Sequence, residues 1–165
     1  MKDVTRRKAL TGIGGLATVS IAGCTGSVMG DSEEYSEDDH EDLLLSEEDF
    51  PDDWHRDDEF NENFDAVFLD EDETTVVLVL VEIEDDVEEA EESFEQSESG
   101  AEDPSDYDIG DEAYWATQND EIAVTQFRHS NAVGQVAATT LSGLEMNPDQ
   151  NRSQQHAQEM FDGWE

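Results

Sequence analysis

From residue 24 onward the chain has no lysine, and its basic residues are three arginines, Arg56, Arg128 and Arg152, against all but one of the 46 acids. A surface so poor in cations argues against nucleic acid and against adsorption to anionic lipid, because both are polyanions. There is one cysteine, Cys24, which excludes an intrachain disulfide and a thiolate metal cluster. The four histidines, His40, His55, His129 and His156, show no metal-ligand spacing such as His-x3-His, so no metal site and no cofactor is expected. No apolar run approaches the roughly 20 residues a membrane-spanning helix requires. No Gly-x-Ser-x-Gly elbow is present, and the only glycine-rich stretch, Gly12 to Gly15, lies near the N-terminus. Catalysis has no motif to stand on, and the expectation is a protein that is not an enzyme.

What is present is sharply segregated. Lys2, Arg6, Arg7 and Lys8 precede a modestly apolar run, Ala9 to Ala22, that is too short to span a bilayer. A cationic start followed by such a run describes an export signal over residues 1–23. Thr5-Arg6-Arg7-Lys8-Ala9-Leu10 resembles a twin-arginine translocation signal, with Ala9 where a bulkier residue is common. Ile21-Ala22-Gly23-Cys24 resembles the lipobox of secreted lipoproteins. The resemblance implies that Cys24 receives thioether-linked lipid and becomes the first residue of the mature chain. Its thiolate is the side chain nucleophilic enough for that alkylation. Two acyl chains would hold a soluble domain stably, at about 0.8 kcal/mol per buried methylene.

The net charge is −39, and in dilute buffer such a surface repels itself. At molar salt the Debye length is about 3 Å and most of that repulsion is screened. The aromatic residues argue against a disordered acidic tail, because Phe64, Phe68, Phe94, Tyr114, Trp115, Phe127, Phe161 and Trp164 all sit in apolar-patterned segments. Together with the N-terminal segment, this composition resembles the twin-arginine-exported lipoproteins of halophilic archaea. That resemblance implies a membrane-anchored protein on the extracytoplasmic face, with lipid reached through Cys24 and the translocation machinery as partners. It also implies a domain that crosses the membrane already folded.

Residues 24–42, rich in Gly, Ser and acids, are expected to be a flexible, self-repelling tether in which His40 is solvated. Residues 43–165 are expected to form one α+β domain. Ser46 signals a short helical turn, after which Pro51 breaks the chain and Phe50 and Trp54 fold back to the core. Strands are expected at Asn63 to Leu69, at Thr74 to Glu84, which reads as covered on both faces, and at Glu112 to Gln118, Glu121 to His129 and Ala132 to Thr140. Asn119-Asp120 and Ser130-Asn131 read as the turns that join the last three in a meander. One helix is expected from Asp85 or Asp86 to about Gln96. Another starts at Asn147-Pro148, with Asn147 as N-cap.

The order β-β-α-β-β-β-α predicts an antiparallel sheet of about five strands with the helices on one face. That order and the IGDEAY…FRHSN stretch also resemble small extracytoplasmic α+β domains of other lipoproteins, including sensor-like lipoproteins of actinobacteria. Arg128 is expected to close an ion pair, and His129-Ser130 to serve a turn and not a nucleophile-base pair. Asp106 to Asp111 is the nearest approach to a calcium loop, without its glycine and its later glutamate. Asn151-Arg152-Ser153 is a glycosylation sequon on an exported chain. The expected function is a lipid-anchored cell-surface binding or accessory module, with a docking subunit of a membrane complex or a hydrolase without a familiar motif as alternatives.

Overall fold

Thr75–Ile83 (TVVLVLVEI) is dominated by β-branched side chains, which suit a pleated surface better than a helix, and it forms β3 of the computed structural model. Residues 34–57, 64–143 and 145–164 are described by the structure. In chain order the elements are β1 (Trp54–Arg56), β2 (Ala66–Asp70), β3, α1 (Val87–Gly100), β4 (Ser105–Asp106), β5 (Glu112–Gln118), β6 (Ile122–His129), β7 (Ala132–Ser142), β8 (Glu145–Pro148) and α2 (Gln150–Trp164). Short 3-10 turns at Glu37–Asp39 and Glu47–Asp49 precede β1. In each of these turns a serine, Ser36 or Ser46, donates its hydroxyl to the aspartate three residues on, at 2.7 and 2.9 Å.

The strands form one antiparallel sheet in the order β1-β2-β3-β7-β6-β5-β4, and β8 folds back on the end of β7. The α+β class and the antiparallel meander β5-β6-β7 agree with expectation, but among the described residues the sheet has eight strands and not about five. The additional β1, β4 and β8 are two to four residues long, too short to show a period in the sequence. β1 and β4 are the two ends of this strand order, and β8 pairs with β7 alone. Edges that short offer little template for pairing with another chain.

Register decides which residues share a face. Val77, Val79 and Val81 stand opposite Ala138, Val136 and Gly134 of β7, which in turn pair with Ala123, Thr125 and Phe127 of β6. α2 lies on this face and buries Ala157, Met160 and Trp164 against it. The opposite face carries Tyr114, Ala116 and Val133, and there α1 buries Ala90 and Phe94. The helices therefore pack on opposite faces of the sheet, which corrects the expectation that they share one. Each helix has a single apolar stripe, and a stripe does not specify which side of a sheet it will meet. β3 is likewise fully buried on the α2 face only. Val76, Leu78 and Leu80 on its other face are half-buried, because α1 sits over β6 and β7.

α1 begins as expected, with the Asp86 carboxylate accepting the Glu89 N–H at 2.9 Å. α2 does not begin at Asn147-Pro148. Those two residues end β8, pairing with Thr140 and Thr139, and the Asp149 carboxylate accepts the Arg152 N–H at 3.1 Å instead. Proline is tolerated at the end of a short edge strand, and here that option prevails over the first position of a helix.

Candidate functional site

The residues expected to carry export and anchoring, Arg6, Arg7, Ile21, Ala22, Gly23 and Cys24, lie outside the described residues. So does the tether up to residue 33. From Tyr35 onward that tether is part of the fold, which corrects the boundary expected at residue 43. The Tyr35 N–H donates to Asn131 Oδ1 at 2.7 Å, and Asn131 Nδ2 donates to the Tyr35 and Glu84 carbonyls at 2.9 and 2.8 Å. The Tyr35 hydroxyl donates to the Trp164 carbonyl at 2.9 Å, and Trp164 Nε1 donates to the Leu43 carbonyl at 2.8 Å. The strap from Tyr35 to Phe50 is thus fastened to the β6–β7 turn and to the last turn of α2, and buries Leu43, Leu45 and Phe50 in the main core.

His40, expected in solvent, is half-buried within this strap. Its Nε2 lies 3.2 Å from the Val81 carbonyl and 3.3 Å from Asp65 Oδ2, while the same Asp65 oxygen accepts the Val81 N–H at 2.9 Å. β7 pairs Val81 on one side, but β2 starts at Ala66 opposite Val79, so among the described residues no strand pairs Val81 on the other side, and these two side chains satisfy the backbone groups there.

Arg128, 6 % exposed, ties together three elements. Its Nε donates to Glu112 Oε2 at 3.1 Å, its NH1 to Asp111 Oδ2 at 3.3 Å and to the Ser130 carbonyl at 3.1 Å, and its NH2 stands 3.9 Å from Glu91 Oε1 on α1. The ion pair expected for Arg128 is present. Asp111 also accepts the Ser130 N–H at 2.8 Å, so the last carboxylate of the Asp106–Asp111 stretch is committed within the protein. Among the described residues no three His, Cys, Asp or Glu side chains converge as metal ligands. Ser130 has a left-handed backbone with φ of 55°, as expected of a turn residue, and His129 Nδ1 is 3.7 Å from Asp111.

Beside the Arg128 cluster lies an open cavity of about 280 Å³, lined by Phe94, Glu98, Asp106, Tyr107, Glu112 and Ala113. The neighbouring Tyr114 hydroxyl donates to Gln126 at 2.8 Å; burial, with the charge of Glu98 adding to it, pushes its ionisation above the ordinary tyrosine range. Sequence reasoning missed this concavity, because β4, which supplies Asp106, has no signal of its own.

A second titratable centre joins α2 to the strap. His156 is buried, its ring centroid is 4.4 Å from that of Phe50, and its Nδ1 is 2.6 Å from Glu159 Oε2. Burial lowers its pKa below the ordinary histidine value and Arg152 adds to that, against the opposing pull of Glu159 and Asp49. Arg152 stands 5.0 Å over the Trp54 ring, where a cation is attracted to the aromatic face.

The sequon is split by the fold. Asn151 is exposed at the start of α2, whereas Ser153 is fully buried, its Oγ 2.6 Å from Thr125 Oγ1 and donating to the Val136 carbonyl at 3.1 Å. Among the described residues no helix is long and apolar enough to cross a membrane. Compared with family models, with characterised proteins and with solved structures, the chain matches none.

Proposed function

We propose that the chain is a lipid-anchored, extracytoplasmic protein of a high-salt environment, held through Cys24 and acting as a non-catalytic binding or accessory module. The observation that carries the reading is the ordered N-terminal series: paired Arg6-Arg7, the apolar run Ala9 to Ala22, then Ile21-Ala22-Gly23-Cys24. Ten residues separate Cys24 from Tyr35, the start of the fastened strap. The carboxylates of Glu88, Glu89, Glu91, Glu92 and Glu95 all face solvent on α1, a surface suited to screened surroundings. The open concavity beside Arg128 is lined by Glu98, Asp106 and Glu112 as well as Phe94 and Tyr107, a set of side chains that suits a ligand with a cationic group. The large apolar side chains most exposed among the described residues are Val87 and Leu141, on different elements, which supports a soluble module over a docking subunit.

The test is mass spectrometry of the membrane fraction from cells producing the wild type and Cys24→Ser. The expected wild-type N-terminal peptide begins at Cys24 and carries the added mass of lipid, while Cys24→Ser leaves the membrane or accumulates unprocessed. Native protein that retains Met1, or that partitions with the soluble cytosol, overturns the reading. Recovery of a stoichiometric membrane partner in molar salt would favour the docking alternative.

A further inference from the structure

We propose that Asn151 can accept an N-linked glycan only while the first turn of α2 is unfolded, so that its occupancy reports whether the domain folded before or after it met the glycosylation machinery. A sequon is read through two side chains, the acceptor amide and the hydroxyl two residues later. In an extended chain both can be offered to one enzyme. On a helix, residues i and i+2 are about 200° apart around the axis and do not face the same way. α2 shows this separation directly: Asn151 is turned to solvent and Ser153 is sealed against β6 and β7, with Thr125 and the Val136 carbonyl occupying its hydroxyl. The turn between them is held by the Ser153 N–H to the Asp149 carbonyl at 3.0 Å and by the Asp149 cap on Arg152. Reaching Ser153 therefore means opening α2 away from the sheet.

The step itself needs a sugar carried on a polyisoprenyl phosphate. Asn151 Nδ2 attacks the sugar C1, the N–C bond forms as the C1–O bond to phosphate breaks, the amide gives one proton to a base of the enzyme, and the lipid phosphate leaves. The proposal leans on the extracytoplasmic reading only for where the chain would meet such a donor, and the test dispenses with that placement.

Full-length protein carrying a C-terminal Asn-Ala-Thr extension is incubated in molar KCl with membranes containing the oligosaccharyl transferase and its lipid-linked donor. The extension is an exposed acceptor that reports an active enzyme. The same is done with Gly134→Val, whose side chain would collide with Phe127 and Trp164 in the core. Loss of structure is confirmed by circular dichroism, with Phe127→Asp used if Gly134→Val still folds. Peptide mapping is expected to show the extension modified in both proteins and Asn151 modified in the disrupted one alone, with Asn151→Gln abolishing that signal. Modification of Asn151 in the folded protein overturns the proposal. So does an unmodified Asn151 in the disrupted protein whose extension is modified.

Discussion

Replacing Asn131 by alanine tests whether the strap is an integral part of the fold. The asparagine is 2 % exposed and makes three hydrogen bonds through its side chain, two to the backbone of Tyr35 and one to the Glu84 carbonyl, between 2.7 and 2.9 Å. At about 0.5–1.5 kcal/mol net for each bond the loss is about 1.5–4.5 kcal/mol, with the lower half applying where water reaches the freed groups. For a domain of this size about 2.5 kcal/mol lowers the melting midpoint by about 10 °C. Asn131→Asp should be worse, because it keeps the acceptor for the Tyr35 N–H, loses both donations and places a charge beside the Glu84 carbonyl. Tyr35→Phe loses the bond to the Trp164 carbonyl, which should cost about 1 kcal/mol. Calorimetry in molar KCl gives the midpoints, and hydrogen exchange over residues 35–50 shows whether the strap opens before the sheet. If Asn131→Ala melts within about 1 °C of the wild type and residues 35–50 exchange no faster, the clamp contributes nothing and the reasoning fails.

Gly134→Ala would place a Cβ 2.6 Å from Phe127 Cζ and 3.0 Å from Trp164 Cη2, so a loss of about 1–3 kcal/mol is expected in a denaturant titration; a midpoint at or above that of the wild type would show that the rings yield freely. The folded-state pKa of His156 lies below its unfolded value, so the unfolded chain takes up a proton first as pH falls. Stability is then lost from about pH 6.5 downward, and His156→Gln should flatten this part of the curve. Glu82, whose pKa is raised by burial and by Glu84 and Asp65, acts in the opposite direction, so the difference between wild type and variant is the quantity to measure. Lowering KCl from molar to about 10 mM lengthens the Debye length from about 3 to about 30 Å. The circular dichroism signal of the sheet should decline with it, and a spectrum unchanged across that range would refute adaptation to salt.

Local features were legible where one short stretch determines the answer. The β-branched run at Thr75–Ile83, the Asp86 cap of α1, the Ser46 turn and the hairpin turns at Asn119-Asp120 and Ser130-Asn131 each depend on side chains within a few residues of one another. The expectation of no polyanionic partner and the proposed placement at a membrane rest on the composition and on the order of the first 24 residues, which are properties of the chain before it folds. Only the tertiary structure decided that α1 and α2 lie on opposite faces, that Tyr35 belongs to the domain, that Asn147-Pro148 ends a strand, and that Asn151 and Ser153 are parted. Each of these depends on groups far apart in sequence, such as Tyr35 with Asn131 or Ser153 with Thr125, and local propensity carries no record of a partner it has not yet met.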